Sequence, residues 1–101
     1  MAETYFDDHD GLDSDLTERQ RIAAQQRTAD LRAVMGKPSG RRYIWGVLAD
    51  LGIYHSTFNQ DHAVMAFNEG MRNVGLKLTA ELLRDAPDLY QLMTQENLNH
   101  E

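Results

Sequence analysis

The chain has 101 residues, 42% of them hydrophobic and 26% charged, with a formal net charge of −6 and no cysteine. That length makes about one small domain with too little interior for a deep active site, and the missing cysteines exclude a disulfide framework, a thiolate nucleophile and a cysteine-bearing zinc site. The opening MAETYFDDHDGLDSD has neither the basic nor the apolar region of a signal peptide, and no run approaches the roughly 18 apolar residues of a membrane span, so a soluble chain with no membrane partner is expected.

Charge falls in three blocks. Residues 1–18 hold seven acids and no Lys or Arg; residues 19–42 hold seven Lys or Arg against Asp30 alone; the remainder holds eight acids against Arg72, Lys77 and Arg84. Blocks of this kind mark tails and interaction segments more often than a mixed solvated surface. Residues 1–13 read as a disordered or loosely attached acidic tail, whose alternatives are a loose fold-back onto the basic segment and binding to a partner. The stretch DDHDGLDSD is not a calcium loop: with Gly11 in the sixth position, Phe6 and Thr17 fall where oxygen ligands are required.

No run alternates with period two between turn signals, so the fold class is all-α: a small bundle of about four helices, the third of them long. The first, a basic and weakly amphipathic helix over 14–35, starts near Asp13 to Asp15 with Ser14 as cap and stops at Gly36. Its apolar stripe, Ile22, Ala29 and Ala33, is thin and gains strength only from Leu31, Val34 and Met35 in the last turns. A compact helical domain over 38–98 follows. Its first helix is expected over 40–51 with Ser39 as cap and Ile44, Val47, Leu48 and Leu51 on the core face, and Gly52 suits a left-handed terminus. After the connector IYHSTFNQ, Asp61 caps a long helix in which Val64, Phe67, Met71, Val74, Leu78 and Leu82 recur every three or four residues. That helix should end near Asp85, because Pro87 suits the first turn of a last helix buried through Leu89, Leu92 and Met93, with ENLNHE fraying beyond.

Gly70 and Gly75 lie inside the long helix at about 1 kcal/mol each relative to alanine, a cost that close approach of a neighbouring backbone would offset. Gly46, Ala66, Gly70 and Gly75 therefore mark close helix packing, with contact inside the chain favoured over self-association.

No catalytic residue, metal ligand or cofactor site is expected. His9, His55, His62 and His100 never pair at i, i+4; Ser14, Ser39 and Ser56 sit as caps or loop residues; Glu69 and Glu81 are too far apart to form a carboxylate pair. The loop GKPSGRR lacks the spacing of a phosphate-binding motif. DNA is the less favoured partner: Arg41, Arg42, Tyr43 and Trp45 combine charge with rings, but the roughly eight-residue connector is too long for a helix-turn-helix, and the chain is acidic overall.

The segments GRRYIW, GIYHSTF, FNEGMRNVGLKL and DAPDLYQLM, spread over about residues 38–95, resemble a family of small proteins of tailed bacteriophages, mostly short-tailed and usually encoded near the terminase and portal genes. No catalytic or ligand residue carries over from it. The resemblance implies a virion-associated protein with no catalysis, present in the virion and in host cytoplasm during assembly. It would bind other structural proteins, such as portal or neck components or proteins of the head interior, with several copies in a ring as a further expectation. A DNA-packaging accessory or a host-directed inhibitor is the alternative. Arg41, Arg42, Trp45, Tyr54 and Phe58 are the expected interface residues, since aromatic and arginine side chains concentrate interface energy; ordinary packing of the connector is the competing reading.

Overall fold

A computed structural model describes residues 2–98, with side chains from Thr17 to Leu98. Four helices follow in chain order: α1 (Ala2–Met35), α2 (Pro38–Asp50), α3 (His62–Asp85) and α4 (Pro87–Leu98), with no strand among the described residues. The all-α class and the long third helix are as the sequence implied. Contacts divide the chain into two compact units, residues 1–30 and 31–101. In the first, α1 begins at Ala2, ahead of the start expected near Asp13 to Asp15. The expected Ser14 cap and the side chains of the acidic tail over 1–13 lie outside the described residues. From Thr17 to Arg27 every α1 side chain is exposed, Ile22 included.

The second unit is held by a small core to which each helix gives one fully buried large side chain: Met35 from α1, Leu48 from α2, Leu82 from α3 and Met93 from α4. Leu31, Ile44, Trp45, Ile53, Leu78, Leu89 and Tyr90 pack around these four. Removing a leucine or methionine side chain from water contributes roughly 1.5–3 kcal/mol, so four such residues can organise a domain of this size but leave little margin.

Local chemistry sets most boundaries. Asp61 caps α3, accepting hydrogen bonds from the backbone N–H groups of Ala63 at 2.9 Å and Val64 at 3.4 Å, as expected. Gly52 has φ of +85°, the left-handed conformation in which α2 can turn into the connector at no steric cost. α3 ends at Asp85, and Pro87 opens α4 after the buried Ala86.

Two expectations about ends and faces are corrected. α2 starts at Pro38, not residue 40, because the fixed φ and missing N–H of proline suit the first helical position; Ser39 lies inside the helix, and Lys37 occupies the capping position without a side-chain bond. On α4, Leu92 is 38% exposed and Tyr90 packs on the core instead, since the burying face runs through Leu89, Tyr90 and Met93.

Candidate functional site

Two arginines fasten the second unit by the same device, a carboxylate gripped through two nitrogens together with a carbonyl at a helix end. Arg41 donates from Nε to Glu96 Oε1 at 2.9 Å and from Nη2 to Glu96 Oε2 at 2.8 Å, while Nη1 donates to the Met35 carbonyl at 2.9 Å. Its side chain is 7% exposed. The hydrogen bond to Glu96 raises the guanidinium pKa further, against the opposing effect of desolvation. Arg32 grips Asp88 at 3.1 and 3.0 Å and donates to the Asp85 carbonyl at 3.1 Å. Helix C-termini leave carbonyls without partners in the helix, and a guanidinium fork matches a carboxylate in geometry and charge. The α1 and α3 termini are thereby tied to α4. This corrects one interface expectation: Arg41 is an internal fastener, consumed by Glu96 and Met35, and has no exposed face to offer a partner.

The other expected interface residues are distributed unevenly. Arg42 is exposed on α2 beside Tyr43, which is 73% exposed. Trp45 is half-buried, packs on the core and stacks on Tyr54 with ring centroids 4.6 Å apart and planes 26° from parallel. Partial burial, with Tyr90 nearby as a second phenol, pushes the Tyr54 hydroxyl up to about 12. Phe58 stands out at 74% exposed, although its segment is well stitched: the Phe58 N–H donates to Ser56 Oγ at 3.1 Å, the Asp61 N–H donates to Asn59 Oδ1 at 2.8 Å, and the Thr57 hydroxyl donates to Glu69. The connector thus presents Phe58 from a fixed backbone.

The glycines separate into two groups. A Cβ on Gly75 would lie 2.5 Å from Ile53 Cγ2 and 3.1 Å from Leu51 Cβ, so Gly75 is where the end of α2 and the connector press on α3. Gly46 and Gly70 have nothing within 4 Å of such a Cβ, and Ala66 is exposed. Close packing inside the chain is therefore corrected at Gly46, Ala66 and Gly70: these positions face outward. The tightest approach is at Gly40. A Cβ on Gly40 would fall 1.8 Å from the Val34 carbonyl oxygen, so glycine lets the first turn of α2 cross the end of α1. In the loop GKPSGRR this glycine stands two residues after the helix-starting proline, and its spacing alone does not show which backbone it passes.

The largest correction concerns the expected core face of α3. Leu78 and Leu82 do pack in the core, but Phe67 is 66% exposed, Val74 56% and Val64 41%. The periodic face continues past the end of the core. Phe58 and Tyr43 are further exposed rings, and aromatic side chains are enriched in binding surfaces.

One shallow pocket of about 230 Å³ lies between the end of α2, the connector and α3, lined by Leu51, Gly52, His55, Ser56, Asn68 and Met71 among others. It is smaller than typical ligand sites of roughly 300–1,000 Å³. Among the described residues no group of three or more His, Asp or Glu could hold a metal ion, and no helix is long and apolar enough to cross a membrane.

Comparison with curated proteins and with solved structures returned no match. A family model does match, over residues 31–95, which spans the second unit from the last turn of α1 into α4 and takes in both arginine fasteners' donors, the core and the connector. The matched segment is most of the chain, and it coincides with the part that has a core of its own: the protein belongs to the Bbp19-like phage protein family.

Proposed function

We propose that this phage protein is a virion-associated component that binds other structural proteins around the portal and neck or inside the head, and that it performs no catalysis. The observation carrying this reading is the exposure of Phe58, Phe67, Val74 and Tyr43 on a domain whose backbone is fixed by a core, two arginine fasteners and a stitched connector. Rigid aromatic anchors lose little side-chain entropy on binding and bury large area, which suits recognition by surface complementarity. The family supports a phage protein; kinship with short-tailed phages, a gene near terminase and portal, and a location in the virion, with the host cytoplasm as the site of assembly, are part of the proposal. Peptide mass spectrometry on purified particles tests it. Recovery of this chain in stoichiometric amount is the expected result, and absence from the particle would overturn it in favour of a packaging accessory or a host-directed protein.

A further inference from the structure

Along the outward side of α3, Ala63, Phe67, Gly70 and Val74 follow one another at spacings of four, three and four, and all four are exposed. This 3.5-residue repeat is the spacing of a two-helix seam, in which successive residues stay aligned with a partner helix. The stripe is uncharged. Glu69 and Arg72 lie round the helix from it, and the next residue on the same line is Lys77. α3 as a whole is also charge-balanced, with Glu69, Glu81 and Asp85 against Arg72, Lys77 and Arg84, inside a chain of net −6. A second copy can therefore approach here without the repulsion it would meet elsewhere.

We propose that α3 pairs with α3 of a second copy, antiparallel, through this stripe. Size complementarity selects both the partner and the direction. In an antiparallel seam the two-fold axis passes between residues 68 and 69, so Phe67 of each copy meets Gly70 of the other, and Val74 meets Ala63. Every large residue then faces a small one, and the open space over Gly70 receives the Phe67 ring. A parallel pair would set Phe67 on Phe67 and Gly70 on Gly70, overfilling one layer and emptying the next. The isologous arrangement needs one surface only, which both copies carry. Val64 and Met71 border the stripe on one side, Ala66 and Asn73 on the other, and Lys77 lies beyond the point at which α3 of the other copy begins with His62, so no like charges meet along the stripe. Gly70, which costs α3 helical stability, is explained as the hole for Phe67.

Sedimentation equilibrium of the full chain, carried to about 0.5 mM to populate a pair with a sub-millimolar Kd, tests the proposal. The wild type is expected to form dimers. Gly70→Leu fills the hole and Phe67→Glu removes the knob; each should weaken dimerisation at least about tenfold with helical content unchanged, because neither position supports the core. The exchange F67G/G70F moves knob and hole to each other's places and should restore dimers. A wild type that stays monomeric throughout, single variants that dimerise like the wild type, or an exchange that fails to restore pairing would each overturn it. Presence in the virion is a separate question, since a chain missing from particles could still dimerise and one found in them could be monomeric.

Discussion

The two halves of α3 use the same apolar repeat for opposite ends. From Gly75 onward the repeat is packed inside the molecule: Gly75 lies under Ile53 and Leu51, and Leu78 and Leu82 meet α2 and α4 in the core. Before Gly75 the repeat faces out, with Phe67 and Val74 more than half exposed. Nothing in the spacing distinguishes the halves, because a helix presents its stripe without reference to what covers it. What divides them is supply: α2 and α4 are short, and four fully buried side chains exhaust what they can cover. An apolar face that continues beyond its own core is available to another molecule.

The comparison can be broken most severely on the packed side. At Gly40→Ala the new methyl would meet a backbone oxygen at 1.8 Å, and a carbonyl at a helix end cannot swing away as a side chain can. The first turn of α2 would have to leave α1, carrying Arg41 from Glu96. A loss of about 2–4 kcal/mol is expected, read as a lower midpoint in urea unfolding. Leu82→Ala removes one of the four core side chains and should cost about 2–5 kcal/mol, enough to leave much of the population unfolded at ambient temperature. Val74→Ala, an equally apolar truncation a little over two turns away on the exposed half, should stay within about 0.5 kcal/mol, and a larger loss would show that the stripe is covered within one chain.

The two glycines sharpen the same contrast. Gly70→Ala and Gly75→Ala gain the same helix propensity, about 1 kcal/mol, because both lie inside α3. At Gly70 the methyl meets open space, so the monomer should be more stable by up to that amount. At Gly75 it meets Leu51 Cβ, which has no rotamer of escape, and Ile53 Cγ2, so a net loss of about 1–2 kcal/mol is expected. Opposite signs in thermal unfolding of the two variants at low concentration would locate the boundary of the core. Equal signs would erase it.

How far the sequence foretold this depends on whether a feature is local. Asp61, Gly52 and Pro87 act through their own backbone geometry, and each stands where composition placed it. Ser39 failed against a competing local signal, since Pro38 starts the helix first. Failures at the candidate site were of another kind. Arg41 resembles an exposed interface arginine until Glu96, far along the chain, is seen to grip it, and Gly40 carries no mark that Val34 passes beside it. Phe67 and Leu82 share one periodic pattern, and only the reach of α2 and α4 decides which is core. Burial is a property of the assembled set, and a chain without a visible partner sequence does not announce it.

Acid should separate the two halves by the smallest effect. On the packed side, Arg32 holds the Asp88 carboxylate below its ordinary range, chiefly through their hydrogen bond, with the backbone N–H groups at the start of α4 assisting. A carboxylate whose folded pKa is depressed stabilises the fold above its unfolded value, near 4, and that contribution disappears as pH falls through the folded value. Thermal midpoints should thus fall below about pH 4, and Asp88→Asn should start lower at neutral pH yet lose less on acidification. Both groups of this pair are exposed, so the shift is modest and should shrink in high salt, where surface pairs are screened. The outward stripe of α3 contains no titrating side chain among Ala63, Phe67, Gly70 and Val74. Self-association measured across the same range should follow the folded fraction and nothing else; a dimer that dissociates between pH 6 and 5, while the fold is intact, would place a carboxylate or histidine in the interface.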